Sequence, residues 1–254
     1  DPAGFAFGDA EDQNVIKTGS YVGNGSSSAP PEIYLGWEPQ WVLFKSTGSA
    51  NNWFLFDAMR GMPNGSSDPY FKPNTNAAEA SLNVLHPTPT GYKLTYSDAW
   101  NNTDGERYIY IAIRRPDGYV GKPPELGTGV FAMVVGAGGS TVPGFTSGFP
   151  VDLALARRPA SSADNWPVYS RLTGPKFVKT DTTDAQGNDT NFNFDSNVGW
   201  YGAIPNTYQA WMWKRHAGFD VVTYKGDGVS GRQIPHSLNK SPEMMWVKNR
   251  SSSG

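Results

Sequence analysis

The chain has 254 residues, enough for one large domain or two modest ones, with no cysteine and a formal net charge of −2. That balance excludes disulfides, thiolate metal sites and a broad basic field for nucleic acid, and no apolar run approaches the ~20 residues that a membrane-crossing helix needs. Heavy use of Gly, Pro, Trp and Tyr favours many short strands joined by punctuated turns over helical bundles.

In chain order, DPAGFAFGDAED has neither an initiator Met nor a signal peptide, and residues 1–13 read as a connecting segment. Lys17-Thr-Gly-Ser-Tyr21-Val-Gly23-Asn24-Gly25 reads as a strand ending in a hairpin turn, since glycine supplies positive φ cheaply. In Ile33-Tyr-Leu35-Gly-Trp37-Glu-Pro39-Gln-Trp41-Val-Leu43, Pro39 opens a strand, where a missing N–H costs little. Asn52-Trp53-Phe-Leu-Phe56 follows, with a short turn expected before Met62. Thr75–Val84, capped by Thr75, is the best helical candidate. Tyr108-Ile-Tyr-Ile-Ala-Ile-Arg114 alternates, so Ile109, Ile111 and Ile113 share one face, the apolar one expected to be buried, and Tyr108, Tyr110 and Arg114 the other.

The same features then return. Val130–Gly138 answers the first strand and turn, Asn165-Trp166-Pro-Val-Tyr169 answers Asn52–Phe56, Trp200 answers Trp100, and Tyr208–Arg215 answers Tyr108–Arg115, with Trp211 and Trp213 in the places of Ile111 and Ile113. A third opening runs from Val221 through Gly226-Asp-Gly228 and Leu238 to Pro242 and Trp246-Val-Lys248. Shared order at a domain-sized interval marks a tandem repeat. The expected fold is all-β, a series of tandem β-sandwich-like repeat domains with few short helices. The boundaries are a connecting segment 1–13, unit 1 at 14–115, a Pro/Gly linker at 116–128, unit 2 at 129–216 and an incomplete third unit at 217–254. The strand-like run before KNRSSSG gives the impression of a polypeptide cut from something longer.

Chemistry-bearing motifs are few. His86, His216 and His236 stand in no metal-ligand or triad spacing and read as surface or junction residues. Gly226–Gln233 lacks the Lys-Ser/Thr of a phosphate loop. Asp181–Asp189 gathers carboxylates around a glycine but misses the EF-hand order, so a solvated loop is preferred to a calcium site. No local cue pairs two carboxylates for glycoside hydrolysis. No catalytic residue, cofactor or metal is expected. Trp53, Trp100, Trp166 and Trp200 recur between copies and read as core, and Trp211, Trp213 and Trp246 as core or inter-unit contacts. Trp37, unmatched later, is the candidate exposed platform. Together with Asn101, Asn102, Asn188 and Asn191 it forms the expected glycan contact.

The strings Tyr21–Gly25, Gly36-Trp-Glu-Pro-Gln-Trp-Val42, Ile109–Gly118, Trp211–Gly218 and Leu238–Lys248 resemble a repeat found in long virion proteins of marine phages, especially those infecting cyanobacteria. The resemblance implies a structural, tail-fibre-like role in a virion, outside any membrane, with other virion subunits as partners and a homotrimer as the favoured assembly. It carries no catalytic residues. The alternative is a lectin-like module reading host surface glycans.

Overall fold

The computed structural model describes residues 15–63, 67–115, 126–189, 191, 193–238 and 240–251. Among these the chain is all-β, with only two single-turn 3-10 helices, at Gly127–Gly129 and Arg171–Thr173. Two compact units emerge. The described residues of unit 1 lie within 15–58, 62–115 and 223–236, and those of unit 2 within 59–61, 126–222 and 237–251. The segment 1–13 and most of the 116–128 linker lie outside the described residues.

In unit 1, β1 (Ile16–Val22), β9 (Arg107–Arg114), β3 (Pro39–Ser46) and β4 (Phe54–Asp57) form an antiparallel sheet in the order β1-β9-β3-β4. The closing strand is therefore central: Ile111 of β9 lies opposite Thr18 on one side and Leu43 on the other. β2 (Glu32–Tyr34), β8 (Gly91–Leu94) and β7 (Leu85–Thr88) make a three-stranded sheet, and β5 (Asp68–Tyr70) pairs with β6 (Ala80–Leu82). One core joins Val42, Phe44, Phe54, Phe56 and Ala112 of the larger sheet to Ile33, Leu85, Tyr92 and Leu94 of the smaller.

Unit 2 holds a six-stranded antiparallel sheet in the order β10-β17-β12-β13-β14-β15. Its strands are β10 (Phe131–Val135), β12 (Leu153–Arg157), β13 (Pro167–Ser170), β14 (Lys176–Lys179), β15 (Gly187–Asn188) and β17 (Gln209–Trp213). Again the closing strand is internal, with Met212 between Ala132 and Ala154. β11 (Phe145–Thr146) pairs with β16 (Gly199–Trp200). Its core gathers Phe145, Phe149, Ala154, Phe194, Trp200 and Met212.

Four expectations change. The Gly23-Asn24-Gly25 segment is not a hairpin, because β1 pairs with the distant β9 rather than with its neighbour in sequence. Gly25 does adopt φ +64, but Gly23 is required by proximity: a Cβ there would stand 2.2 Å from the Thr103 carbonyl oxygen. Gly136 answers it, 2.4 Å from the Pro205 carbonyl oxygen by the same measure. Thr75–Val84 is no helix. Thr75 folds back on Lys72, its hydroxyl accepts from the Ala77 amide, and Ala80–Leu82 become β6. The apolar stretch is too short to offset helix nucleation, and hydroxyl and amide side chains compete for its backbone.

The third change concerns β9. Its buried face carries Tyr108, Tyr110, Ala112 and Arg114, while Ile109, Ile111 and Ile113 form the more open face. The tyrosines win the interior because their rings pack, Tyr108 on Tyr21 at 5.0 Å and Tyr110 edge-on to Tyr92 at 6.0 Å. The Tyr108 hydroxyl keeps its bonds there, accepting from the Thr103 amide at 2.9 Å and donating to the Ala99 carbonyl. Buried aromatics with satisfied polar tips outcompete aliphatic side chains. Fourth, Trp246 lies in no strand and is 70% exposed, flanked by the equally open Met244, Met245 and Val247.

Asp68, at the start of β5, is fully buried. One carboxyl oxygen accepts from the Val84 and Leu85 amides at 2.8 and 2.9 Å, while the other finds no partner among the described residues. Burial outweighs the two amides and pushes the group up from 3.8 to about 8. A carboxyl raised on folding stabilises most below its unfolded value and loses that contribution as pH climbs to about 8. Asp68→Asn keeps the acceptor without the charge. Its thermal midpoint should therefore gain on that of the parent steadily between pH 4 and 8, as read by circular dichroism melts across that range.

Candidate functional site

The residues expected to share one glycan-contacting surface do not do so. Trp37 is 6% exposed and belongs to the core of unit 1 with Ile33 and Leu35, so it offers no platform to solvent. Asn101 and Asn102 are fully buried and spent on hydrogen bonds within unit 1. Asn101 accepts from the Asp98 amide and donates to the Tyr96 carbonyl, both at 2.8 Å. Asn102 accepts from the Asn24 amide at 2.9 Å and donates to the Ser26 carbonyl at 3.0 Å, tying the Gly23–Gly25 turn to the approach of β9. Side-chain amides without solvent must find such partners, which makes these two structural. Asn188 and Asn191 are exposed, as expected, and lie in unit 2.

There they edge an open concavity of about 660 Å³. Its wall is aromatic: Tyr169 of β13, Phe177 of β14, then Tyr201 and Tyr208 from the segment between β16 and β17. Asp189, just after β15, organises it. One carboxylate oxygen of Asp189 accepts from the Tyr201 hydroxyl at 2.7 Å and from the Tyr169 hydroxyl at 3.1 Å, and the other accepts from the Asn191 amide at 2.9 Å. Burial, reinforced by the neighbouring carboxylate, raises both phenols well above their usual value of 10, so they remain protonated donors. Trp200 backs them, its ring 5.2 Å from those of both Tyr169 and Tyr201.

Tyr201 also has φ +72, the only positive φ among described non-glycine residues. A bulky side chain in the left-handed region costs energy and persists only where surrounding contacts enforce it. Here the Asp189 bond, the Trp200 packing and the amide bond from Tyr201 to the Asn193 carbonyl at 3.1 Å do so.

The cations near this wall are committed. Arg158 grips Asp164 with two bonds, of 2.7 and 2.6 Å, holding that carboxyl well below the usual carboxylate range, and its guanidinium lies 5.5 Å from the Tyr208 ring. Lys179 pairs with Asp184 at 3.0 Å. Asp181 accepts from the Trp166 amide and from the Asn165 side chain, at 3.0 and 3.1 Å. The three carboxylates of the 181–189 loop thus face three different partners, and no group of three or more metal-ligating side chains converges among the described residues. His86 is partly buried in β7, and burial with the nearby Lys93 and Arg232 lowers it to about 4. Gly226–Gly228 leads into no helix; Asp227 there meets Arg232 at 3.2 Å.

Tyr169, Tyr201 and Tyr208 are not among the site residues expected from sequence, and Asp189 enters there only as the end of the solvated 181–189 loop. The correspondence expected between the two units sets Tyr169 against Phe56 and Tyr201 against Asn101. Two hydroxylated rings arriving together in one unit is the pattern of a new polar centre.

Residues 5–115 match a family model described as a domain of unknown function, DUF7483. No curated protein and no solved structure matches the chain.

A second charged cluster is structural. Arg215, 2% exposed, meets Asp220 at 2.6 Å with both side chains 3% exposed, and the other Asp220 oxygen accepts from the Ser237 amide at 2.8 Å. Removing Asp220 takes away the carboxylate that Arg215 meets in the interior. Asp220→Ala should cost about 3–5 kcal/mol of unit 2 stability, read as a lowered urea midpoint at unchanged slope.

Proposed function

We propose that this chain is a structural protein of a virion, a fibre-like assembly in which tandem β-sandwich-like units act as spacers and present a surface to the host. The observation that carries the reading is the strand order. In each four-strand set the opening strand, the closing strand, the strand led by Pro39 or Leu153 and the strand that follows Asn-Trp lie side by side as β1-β9-β3-β4 and β10-β17-β12-β13. Individual bonds support the same correspondence. The Gly23 amide reaches the Glu106 carbonyl as that of Gly136 reaches the Tyr208 carbonyl, both at 2.8 Å. The Arg114 amide reaches Val15 as that of Lys214 reaches Val130, again at 2.8 Å. The Trp53 amide donates to the Asn74 side chain as that of Trp166 does to Asp181. Two modules of like strand order that follow one another in sequence suit a spacer, which needs no reaction centre.

The segment from Val221 to Lys248 repeats the opening half of a unit but forms no strand among its described residues. Its Met244-Met245-Trp246-Val247 run, each residue at least 70% exposed, is an apolar patch of the kind that another chain covers. We assign it to contacts between copies, with a trimer as the favoured state.

Light scattering after size exclusion should give three times the chain mass, and Trp246→Asp should shift the population toward monomer at the same concentration. A monomer that persists to ~100 μM, far above the concentrations at which obligate assemblies hold together, removes the fibre reading.

A further inference from the structure

Sheet edges are ordinarily blunted by charge, proline, shortness or a covering segment, because an open edge invites another chain to pair. Most edges of this protein follow that rule. β1 carries Lys17 with Thr18 and Ser20, β4 exchanges both backbone bonds of Leu55 with Phe71, and β7 contains Pro87. β15 and the edges of the smaller sheets at β2, β5, β6, β11 and β16 have two or three residues each. β10 is the exception among the described strands: Phe131-Ala-Met-Val-Val135 has five residues and no charge, proline or bulge.

Its hydrogen bonds show which groups are open. The Lys214 amide reaches the Val130 carbonyl and the Gly136 amide reaches the Tyr208 carbonyl, so the even-numbered residues bond to β17. The amides and carbonyls of Phe131, Met133 and Val135 therefore point away from β17, and no described backbone group meets them. The side chains of these same residues are 40%, 60% and 58% exposed. They adjoin Trp213, whose ring is 5.2 Å from that of Phe131, and Trp211, opposite Met133.

An occupant of this edge must bring apolar side chains on a backbone free to pair. Met244–Val247 has both, since no described backbone group bonds to the backbone of that open run. The run is held in place on either side. The Ser237 amide donates to Asp220 at 2.8 Å, the Lys248 ammonium to the Thr182 carbonyl at 2.6 Å, and the Gln186 amide to the Arg250 carbonyl at 2.9 Å. In the expected correspondence between units it answers residues of Pro39–Lys45, which lie in β3.

Area favours this occupant over the simplest alternative. The seven open side chains of β10 and the run present on the order of 900 Å² between them, near the ~1,000 Å² that a specific interface must clear. β10 paired with its own copy across a dyad would cover only on the order of 600 Å² and leave the run in water. We propose that Met244–Val247 of one copy adds as a strand to the β10 edge of the next copy. The inference rests on the reading that the run is a contact between copies, and it names the surface that the run meets. Because the two surfaces differ, the contact is heterologous, and three such contacts can close into a ring.

The chain has no cysteine, so single cysteines report the contact cleanly. Full-length Met133→Cys and Met245→Cys chains are mixed in equal amounts and treated with a short bis-maleimide. Cross-linked dimer should form about tenfold faster than with either variant alone. Met133→Lys and Val135→Lys each place a charge on the open edge and should raise the concentration needed for assembly about tenfold, read by light scattering. Their melting should match that of the parent, because both side chains are exposed. Three results overturn the proposal: Met133→Cys links to itself faster than to Met245→Cys, a chain with both cysteines links within a monomer, or the oligomer survives both lysine variants without the mixed cross-link. A parent chain that stays monomeric overturns the contact together with the assembly, whereas those three results overturn the contact alone.

Discussion

The pairing of each closing strand with two partners is the interaction on which the rest of both units depends. β9 supplies the hydrogen bonds that hold β1 on one side and β3 on the other, and β17 does the same for β10 and β12. Ile16 and Ile113, opposite each other in the sheet, stand almost a whole unit apart in sequence. Such pairings carry a loop-closure cost that only the completed core repays. In unit 1 that core includes the Phe44, Phe54, Phe56 and Trp100 stack, and in unit 2 the packing of Phe145 and Tyr169 on Trp200. The smaller sheets and the loops around Asn102 and Asp68 are arranged on the frame so fixed.

Much of the frame is legible in the sequence because it rests on local physics. Alternation marks β9 and β17, Pro39 marks the first residue of β3, and turn residues separate the strands. Which face of β9 turns inward is not legible from alternation alone. Both faces are apolar enough to be buried, and the choice is made by Tyr21 and Tyr92, which come from other strands. The same limit hides the fate of Trp37. Beside a turn it reads as exposed, yet the surrounding strands close over it. Thr75–Val84 was ambiguous for the opposite reason: its propensity is weak, so tertiary pairing of β6 with β5 decides.

Site residues follow a similar division. Asparagine is equally suited to binding a ligand from outside and to stitching a loop from within, and nothing in its immediate neighbours tells the two apart. Asn101 and Asn102 stitch; Asn188 and Asn191 face solvent. The convergence of Tyr169, Tyr201 and Asp189 joins three separate strand ends, so no window of sequence contains it.

The central place of the closing strand also orders events during synthesis. On the ribosome, β1 and β3 emerge well before β9, and the 97 residues from Ile16 to Ile113 (113 − 16) take roughly 5–20 seconds to make at ordinary elongation rates. Until β9 is made, β1 and then β3 each present an unpaired edge, and the chain is exposed to pairing with a neighbouring nascent chain on the same message. Dividing the polypeptide into units that each close on their own last strand keeps every such interval short. A long protein made this way is vulnerable one module at a time.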